Sequence, residues 1–144
     1  MRKIQPPRSG GYARIVVLCS GAFDGLHAGH VRYLTAASRL CPQERLYVAI
    51  APDSYIRSEK HREPFWSQAD RAEAVLALGV VDRVLLQTDD TPASLIRAYH
   101  PSVFVKGADW TDRVPADVQA ACRSVGCRVH IVHTPGKHVR EARG

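Results

Sequence analysis

An α/β fold with an all-parallel sheet is the prediction for this chain, and three observations make it. Short, β-branched apolar runs alternate with segments of helical periodicity. The runs are continuous rather than alternating apolar and polar, as in strands covered on both faces. The chemistry-bearing loops all follow strands, at 20–30, 52–67, 107–113 and 133–138. Strands joined through helices run parallel with right-handed crossovers, and ligands then bind beyond the carboxyl ends of the strands, where the strand order reverses. The expected architecture is a single Rossmann-like domain of five parallel strands in the order 3-2-1-4-5, with helices on both faces.

Each element has its own signal. Ile15-Val16-Val17-Leu18 reads as the first strand, and Val31, Leu34, Ala37 and Leu40 recur after it at helical spacing. Arg45-Leu46-Tyr47-Val48-Ala49-Ile50-Ala51 makes a second strand, stopped by Pro52-Asp53. Residues 54–67 carry Arg57, Lys60, His61 and Arg62 and few apolar anchors, so a mobile active-site loop that orders on ligand is expected there. Ala69, Ala72, Val75, Leu76 and Leu78 predict a second helix over 68–78, closed by Gly79. A third strand is expected in Val80-Val81-Asp82-Arg83-Val84-Leu85-Leu86. Thr91-Pro92 supplies an N-cap residue and a first-turn proline to a third helix over 93–99. Ser102-Val103-Phe104-Val105-Lys106 is a fourth strand, 115–125 a fourth helix ended by Gly126, and Cys127-Arg128-Val129-His130-Ile131-Val132 a fifth strand. Residues 1–13, with two prolines and two glycines, read as a flexible arm, 14–136 as the folded domain and 137–144 as a basic tail.

The chain has 144 residues, 45% of them apolar and 24% charged, which suits one domain with its own core. No apolar run nears the roughly 20 residues that span a bilayer. Met1-Arg2-Lys3-Ile4-Gln5-Pro6-Pro7 lacks the apolar stretch of a secretory signal, so a cytoplasmic protein with no membrane partner is expected. Cys19, Cys41, Cys122 and Cys127 form no CxxC pair and are expected to be reduced and buried. Lys and Arg number 20 against 14 Asp and Glu, a net charge of +6 that suits polyanions from nucleotides to RNA.

The stretch Cys19-Ser20-Gly21-Ala22-Phe23-Asp24-Gly25-Leu26-His27-Ala28-Gly29-His30 joins the first strand to the first helix. His27 and His30 fall at or just inside a helix N-terminus, where backbone N–H groups and the positive dipole end favour an anion. Gly29 lets a ligand approach the backbone, and the segment suits a triphosphate. Two histidines three apart also occur as zinc ligands, but no HExxH or cysteine partner accompanies them.

With His27-Ala28-Gly29-His30 set inside Gly21-Ala22-Phe23-Asp24-Gly25-Leu26, the chain resembles the HxGH nucleotidyltransferase, or cytidylyltransferase-like, superfamily. Thr91-Pro92-Ala93-Ser94-Leu95-Ile96 and Phe104-Val105-Lys106-Gly107-Ala108-Asp109-Trp110 are similar to the adenylyltransferase domain of ADP-heptose synthase. Gly107-Ala108-Asp109-Trp110 also resembles glycerol-3-phosphate cytidylyltransferase. The resemblance runs from about Arg14 to Gly136. It implies transfer of AMP or CMP from ATP or CTP, with ATP favoured, to a sugar or polyol phosphate, with Mg²⁺ carried by the NTP and pyrophosphate released. By position it implies catalytic roles for His27, His30 and Lys60, and acceptor-phosphate contacts from Lys60 and Arg71. It also implies a nucleotide site of Gly21, Ala22, Phe23, Asp24, Gly29, Lys106, Gly107, Asp109, Trp110 and Gly136. Taken alone, Lys60 also reads as a solvated loop cation, Arg71 as helix surface, and Asp109 and Trp110 as a turn.

The chain departs from the family after the fifth strand. A hydroxyl-rich segment that would hold the distal phosphates is replaced by His133-Thr134-Pro135-Gly136-Lys137-His138-Val139-Arg140, and Lys137 or His138 is the expected cationic substitute. The alternative function is a catalytically weak nucleotide-binding or regulatory protein. RNA binding is a third reading, disfavoured because no KMSKS-like segment accompanies the HxGH motif. A homodimer is compatible with the resemblance.

Overall fold

The computed structural model describes residues 16–108 and 113–133. In chain order they form β1 (Val16–Gly21), α1 (Ala28–Leu40), β2 (Arg45–Ile50), α2 (Asp53–Lys60), α3 (Gln68–Leu76) and β3 (Arg83–Leu86). These are followed by α4 (Ala93–Tyr99), β4 (Val103–Gly107), α5 (Ala116–Val125) and β5 (Arg128–Val132). The five strands make one sheet in the order β3-β2-β1-β4-β5, and every pairing is parallel. The predicted fold class and strand order are those observed.

The continuous apolar strands have the reason expected of them. Val17, Cys19, Val48, Ile50, Val103 and Val105 pack with Leu34 and Ala37 of α1 and Ala72 and Val75 of α3 on one face. Val16, Leu18, Tyr47, Ala49 and Phe104 pack with Ile96 of α4 and Val118, Ala121 and Cys122 of α5 on the other. Successive residues of β1 thus serve opposite layers. At roughly 1.5–3 kcal/mol for each large apolar side chain removed from water, these layers drive folding.

Several boundaries move for physical reasons. β1 continues through Ser20 and Gly21, which pair with Ala49 and Ile50 of β2 and carry the strand to the lip of the site. Residues 54–67, expected as a loop without apolar anchors, begin instead as α2, whose Ile56 is fully buried. One buried side chain in eight residues is too faint a period to read as a helix. The third strand starts at Arg83 because Asp82 already bridges to β2, its N–H donating to Leu46 O (2.9 Å) and its carboxylate accepting Leu46 N–H (2.8 Å). α3 ends at Leu76 in a turn rather than at a left-handed Gly79, whereas Gly126 does close α5 with φ 71°. Val31, expected on the buried stripe of α1, is 42% exposed. Cys41, expected to be buried, is half-buried at the end of α1, while Cys19, Cys122 and Cys127 are free and buried as expected.

The exit of β1 is closely packed. A Cβ on Gly21 would lie 2.8 Å from Phe23 Cε2, and Phe23 is itself buried with a left-handed φ of 52°. Gly21→Ala should therefore push the Phe23 ring off its seat and cost about 1–3 kcal/mol in urea unfolding.

Candidate active site

α1 starts on a reciprocal cap built from its two histidines. His27 is the N-cap, its Nδ1 accepting the Gly29 N–H (3.0 Å), and His30 Nδ1 accepts the His27 N–H (3.3 Å). This is the geometry of a capping box, with imidazoles in place of the usual hydroxyl and carboxylate. A neutral imidazole that accepts at Nδ1 carries its proton on Nε2. Each ring is thereby set as an N–H donor on the side away from the backbone. The rings stack with centroids 3.9 Å apart, and Phe23 meets His30 edge-on at 5.1 Å. Phe23 thus serves as a prop for His30.

Both histidines open into a cleft of about 610 Å³ at the carboxyl ends of the strands. Among the other residues predicted for the site, Gly21, Ala22, Phe23, Asp24, Gly29, Lys60, Lys106 and Gly107 line the same cleft. Lys106 is buried, and its ammonium donates to Ser20 O (2.6 Å), tying β4 to β1. Tyr33 sits beneath it, its ring centroid 5.8 Å from Nζ and its hydroxyl donating to Val105 O. The neighbouring Cys19 thiol is pushed up to about 12 by burial, against the opposing pull of Tyr33 and Lys106, so it is inert as a nucleophile at neutral pH. Asp109, Trp110, Gly136 and Lys137 lie outside the described residues.

Arg71 is corrected. It is neither helix surface nor a ligand of substrate phosphate in this structure, because its side chain is wholly buried and its donors face protein. Nε donates to Trp66 O (3.0 Å), one Nη to Ala22 O and Ala51 O (2.8 Å each), and the other to Asp53 Oδ1 (2.5 Å). It joins the ends of β1 and β2, the start of α2 and the segment 61–67. Asp24 holds that segment from the other side. Its carboxylate accepts Arg62 (2.8 Å), Phe65 N–H (2.9 Å) and Trp66 N–H (3.0 Å). Desolvation alone would raise the Asp24 carboxyl, but the Phe65 N–H, Arg62 and the Trp66 N–H together outweigh it and hold Asp24 below its ordinary value. The expected mobile loop is thus latched, and Asp24 lines the cleft with its carboxylate already committed.

Several cleft residues carried no recognised signal. Tyr33 was legible in principle, being three residues beyond His30 on the same helix face. Arg62 stood in the segment expected as an active-site loop without being singled out as a site residue itself. Tyr55, Gln87, Asp90 and Pro92 complete the wall on the β2–β3 side. The loop after β3 holds no histidine, lysine or glycine to draw attention.

Two outcomes follow from these networks. Arg71→Met should lower stability by about 3–5 kcal/mol in urea unfolding, the range for stripping one partner from a buried ion pair. Asp24→Ala should speed amide exchange at Phe65 and Trp66 by about 10–100-fold, as expected from losing hydrogen bonds to a charged acceptor. Because the folded carboxyl lies below its ordinary value, the latch should hold through neutral and mildly acidic pH. It should fail only as pH falls through that lowered value, beneath the ordinary carboxylate range.

Comparison with known proteins agrees with this geometry. The family model described as cytidylyltransferase-like matches residues 18–141. The bifunctional protein HldE of Rhodopseudomonas palustris (strain HaA2) is 44% identical over 93 residues, 64% of this chain and 19% of that protein. HldE of Trichlorobacter lovleyi is 41% identical over 99 residues, 68% of this chain and 20% of that protein. The chain thus spans about a fifth of the length of these relatives. The crystal structure of a lipopolysaccharide core biosynthesis protein from Thermoplasma volcanium GSS1 superposes with a TM-score of 0.68 at 28% identity, covering 84% of this chain and 96% of that one. A protein of unknown function from Archaeoglobus fulgidus, 20% identical with a TM-score of 0.63 over 83% of this chain and 89% of that one, shares the fold. With the HxGH turn, the parallel sheet and a family match over nearly the whole domain, the chain belongs to the cytidylyltransferase-like family of nucleotidyltransferases.

Proposed function

We propose that this protein transfers AMP from ATP, or CMP from CTP, to the phosphate of a sugar or polyol phosphate and releases pyrophosphate. The observation that carries this reading is the histidine cap: two Nε2 donors held by backbone at a helix start, in one cleft with Lys60, Arg62 and Lys106. The acceptor phosphate has a second pKa of about 6, so its oxygen is already ionised at neutral pH and needs no general base. That oxygen attacks the α-phosphorus, the bond to the β-phosphate oxygen breaks, and pyrophosphate leaves with the electron pair. The barrier is mainly repulsion between polyanions and charge growing on the α-phosphate and leaving group, which positioned donors and cations relieve. Mg²⁺ enters as part of the NTP substrate. The only metal-relevant carboxylate in the turn, Asp24, is occupied by the latch, and among the described residues no three His, Cys, Asp or Glu side chains cluster as a resident metal site would.

The resemblance of the Thr91–Trp110 region to an adenylyltransferase favours ATP as donor. The likeness to a protein named for lipopolysaccharide core biosynthesis, covering nearly all of that chain, supports a sugar phosphate as acceptor. Incubation with ATP or CTP, Mg²⁺ and a panel of phosphate monoesters should release pyrophosphate, fastest with ATP and a sugar phosphate. NTP binding without pyrophosphate from any pair would overturn the enzyme reading in favour of a nucleotide-binding regulator. His27→Ala and His30→Ala should each slow pyrophosphate release by at least about 100-fold, roughly 2.7 kcal/mol of barrier, while lowering stability by only about 1 kcal/mol through the lost cap. Unchanged turnover in either variant would remove that histidine from the mechanism.

A further inference from the structure

The sheet parts along one seam, and a side chain stands at its base. β1 keeps register with β2 as far as Gly21↔Ile50, and β4 with β5 as far as Gly107↔Val132. β1 and β4, however, are paired only to Cys19↔Val105. The two strands therefore separate over residues 20–21 and 106–107, where the strand order reverses and the cleft begins.

Backbone groups at such a parting lose the neighbouring strand and need other partners. The Tyr33 hydroxyl, brought in from α1, supplies one. It donates to Val105 O (2.5 Å) on β4, accepts the Ser20 N–H (3.4 Å) of β1 and lies 3.4 Å from Ser20 O. Ser20 O in turn accepts the Lys106 ammonium (2.6 Å). One hydroxyl thus holds both the root of Lys106, through the residue before it, and the residue that its ammonium grips. The Tyr33 ring lies under the same ammonium, its centroid 5.8 Å from Nζ.

A lysine needs such holding more than most side chains. Its ammonium is a point charge on a flexible four-carbon stem, so its direction comes from its surroundings. Lys106 and Ser20 are both buried, which leaves that task to protein groups. Tyr33 also stands about one turn along α1 from His30. The helix that presents the histidine pair therefore gauges how far the cation of β4 stands from it.

We propose that Tyr33 is a positioning residue of the nucleotide site: its hydroxyl sets the parting of β1 and β4 and so aims Lys106 at a polyphosphate held by the histidine turn. In this role the hydroxyl acts through Lys106 and touches no substrate atom. The inference rests on the nucleotide-binding half of the reading above and is independent of transfer to an acceptor.

The test is a double-mutant cycle. ATP and CTP, each with Mg²⁺, are titrated by calorimetry into wild type, Tyr33→Phe, Lys106→Met and the double variant, with circular dichroism checking that each is folded. A parallel cycle uses Lys106→Gln. Phenylalanine keeps the ring beneath the ammonium and removes only the hydroxyl. Tyr33→Phe should weaken binding of the preferred nucleotide about fivefold or more, and Lys106→Met about tenfold or more. The double variant should bind within about twofold of Lys106→Met alone, because the hydroxyl has nothing left to aim. A hydroxyl serving stability alone would lower the melting temperature and leave the affinity of the folded protein unchanged. Unchanged affinity in folded Tyr33→Phe, losses that simply multiply in the double variant, or a Tyr33→Phe protein that does not fold would each make Tyr33 structural and overturn this inference alone. The expected cycle together with no pyrophosphate from any acceptor supports the role of Tyr33 and overturns the transfer reading. A wild type that binds neither nucleotide overturns both.

Discussion

The buried guanidinium of Arg71 is the constraint on which the site depends. Taking a charge out of water costs several kcal/mol, and only well-aimed acceptors offset it. Here these are the carbonyls of Ala22, Ala51 and Trp66 and the carboxylate of Asp53. Each belongs to a different piece of the cleft: the turn after β1, the end of β2, the segment ahead of α3 and the first turn of α2. A planar fork with fixed directions can satisfy them together only if those pieces stand in one arrangement. The shape of the cleft floor is in this sense a property of one side chain on α3.

From that floor the charge pattern follows. Lys106 crosses from β4 to the Ser20 carbonyl on β1, at the place where the strand order reverses and neighbouring loops part to opposite sides of the sheet. Tyr33 supports it from α1 by bonding Val105 O, so cation, sheet and helix start are mutually braced. The Asp24 latch then brings the 61–67 segment, with Arg62 stacked 4.2 Å over the Phe65 ring, to the other side of the opening. Positive charge collects around the histidines without any of it resting on a long unsupported loop.

Much of this was legible from residue order alone. Continuous β-branched runs alternating with helical periods led to the parallel sheet, because two-sided burial leaves a strong mark on composition. His27 and His30 could be placed at a helix start because their surroundings change abruptly from strand-like to helical. The misses share a different cause. α2 buries a single isoleucine, Arg71 looks like any charged residue on an amphipathic helix, and Gln87 is one amide in a polar stretch. What decides their roles is who stands opposite them, for most of these bonds 18 to 49 positions away along the chain, and local patterns hold no information about that.

The histidine cap carries an evolutionary consequence. Because His27 and His30 satisfy one another's backbone and their neighbour's, they are selected twice, once for starting α1 and once for what their outer nitrogens can donate. A descendant relieved of the chemistry would still lose helix stability by discarding either ring. The pair can therefore outlive the activity it served, and in a decaying lineage the first residues to drift would be those whose only employment is with the ligand.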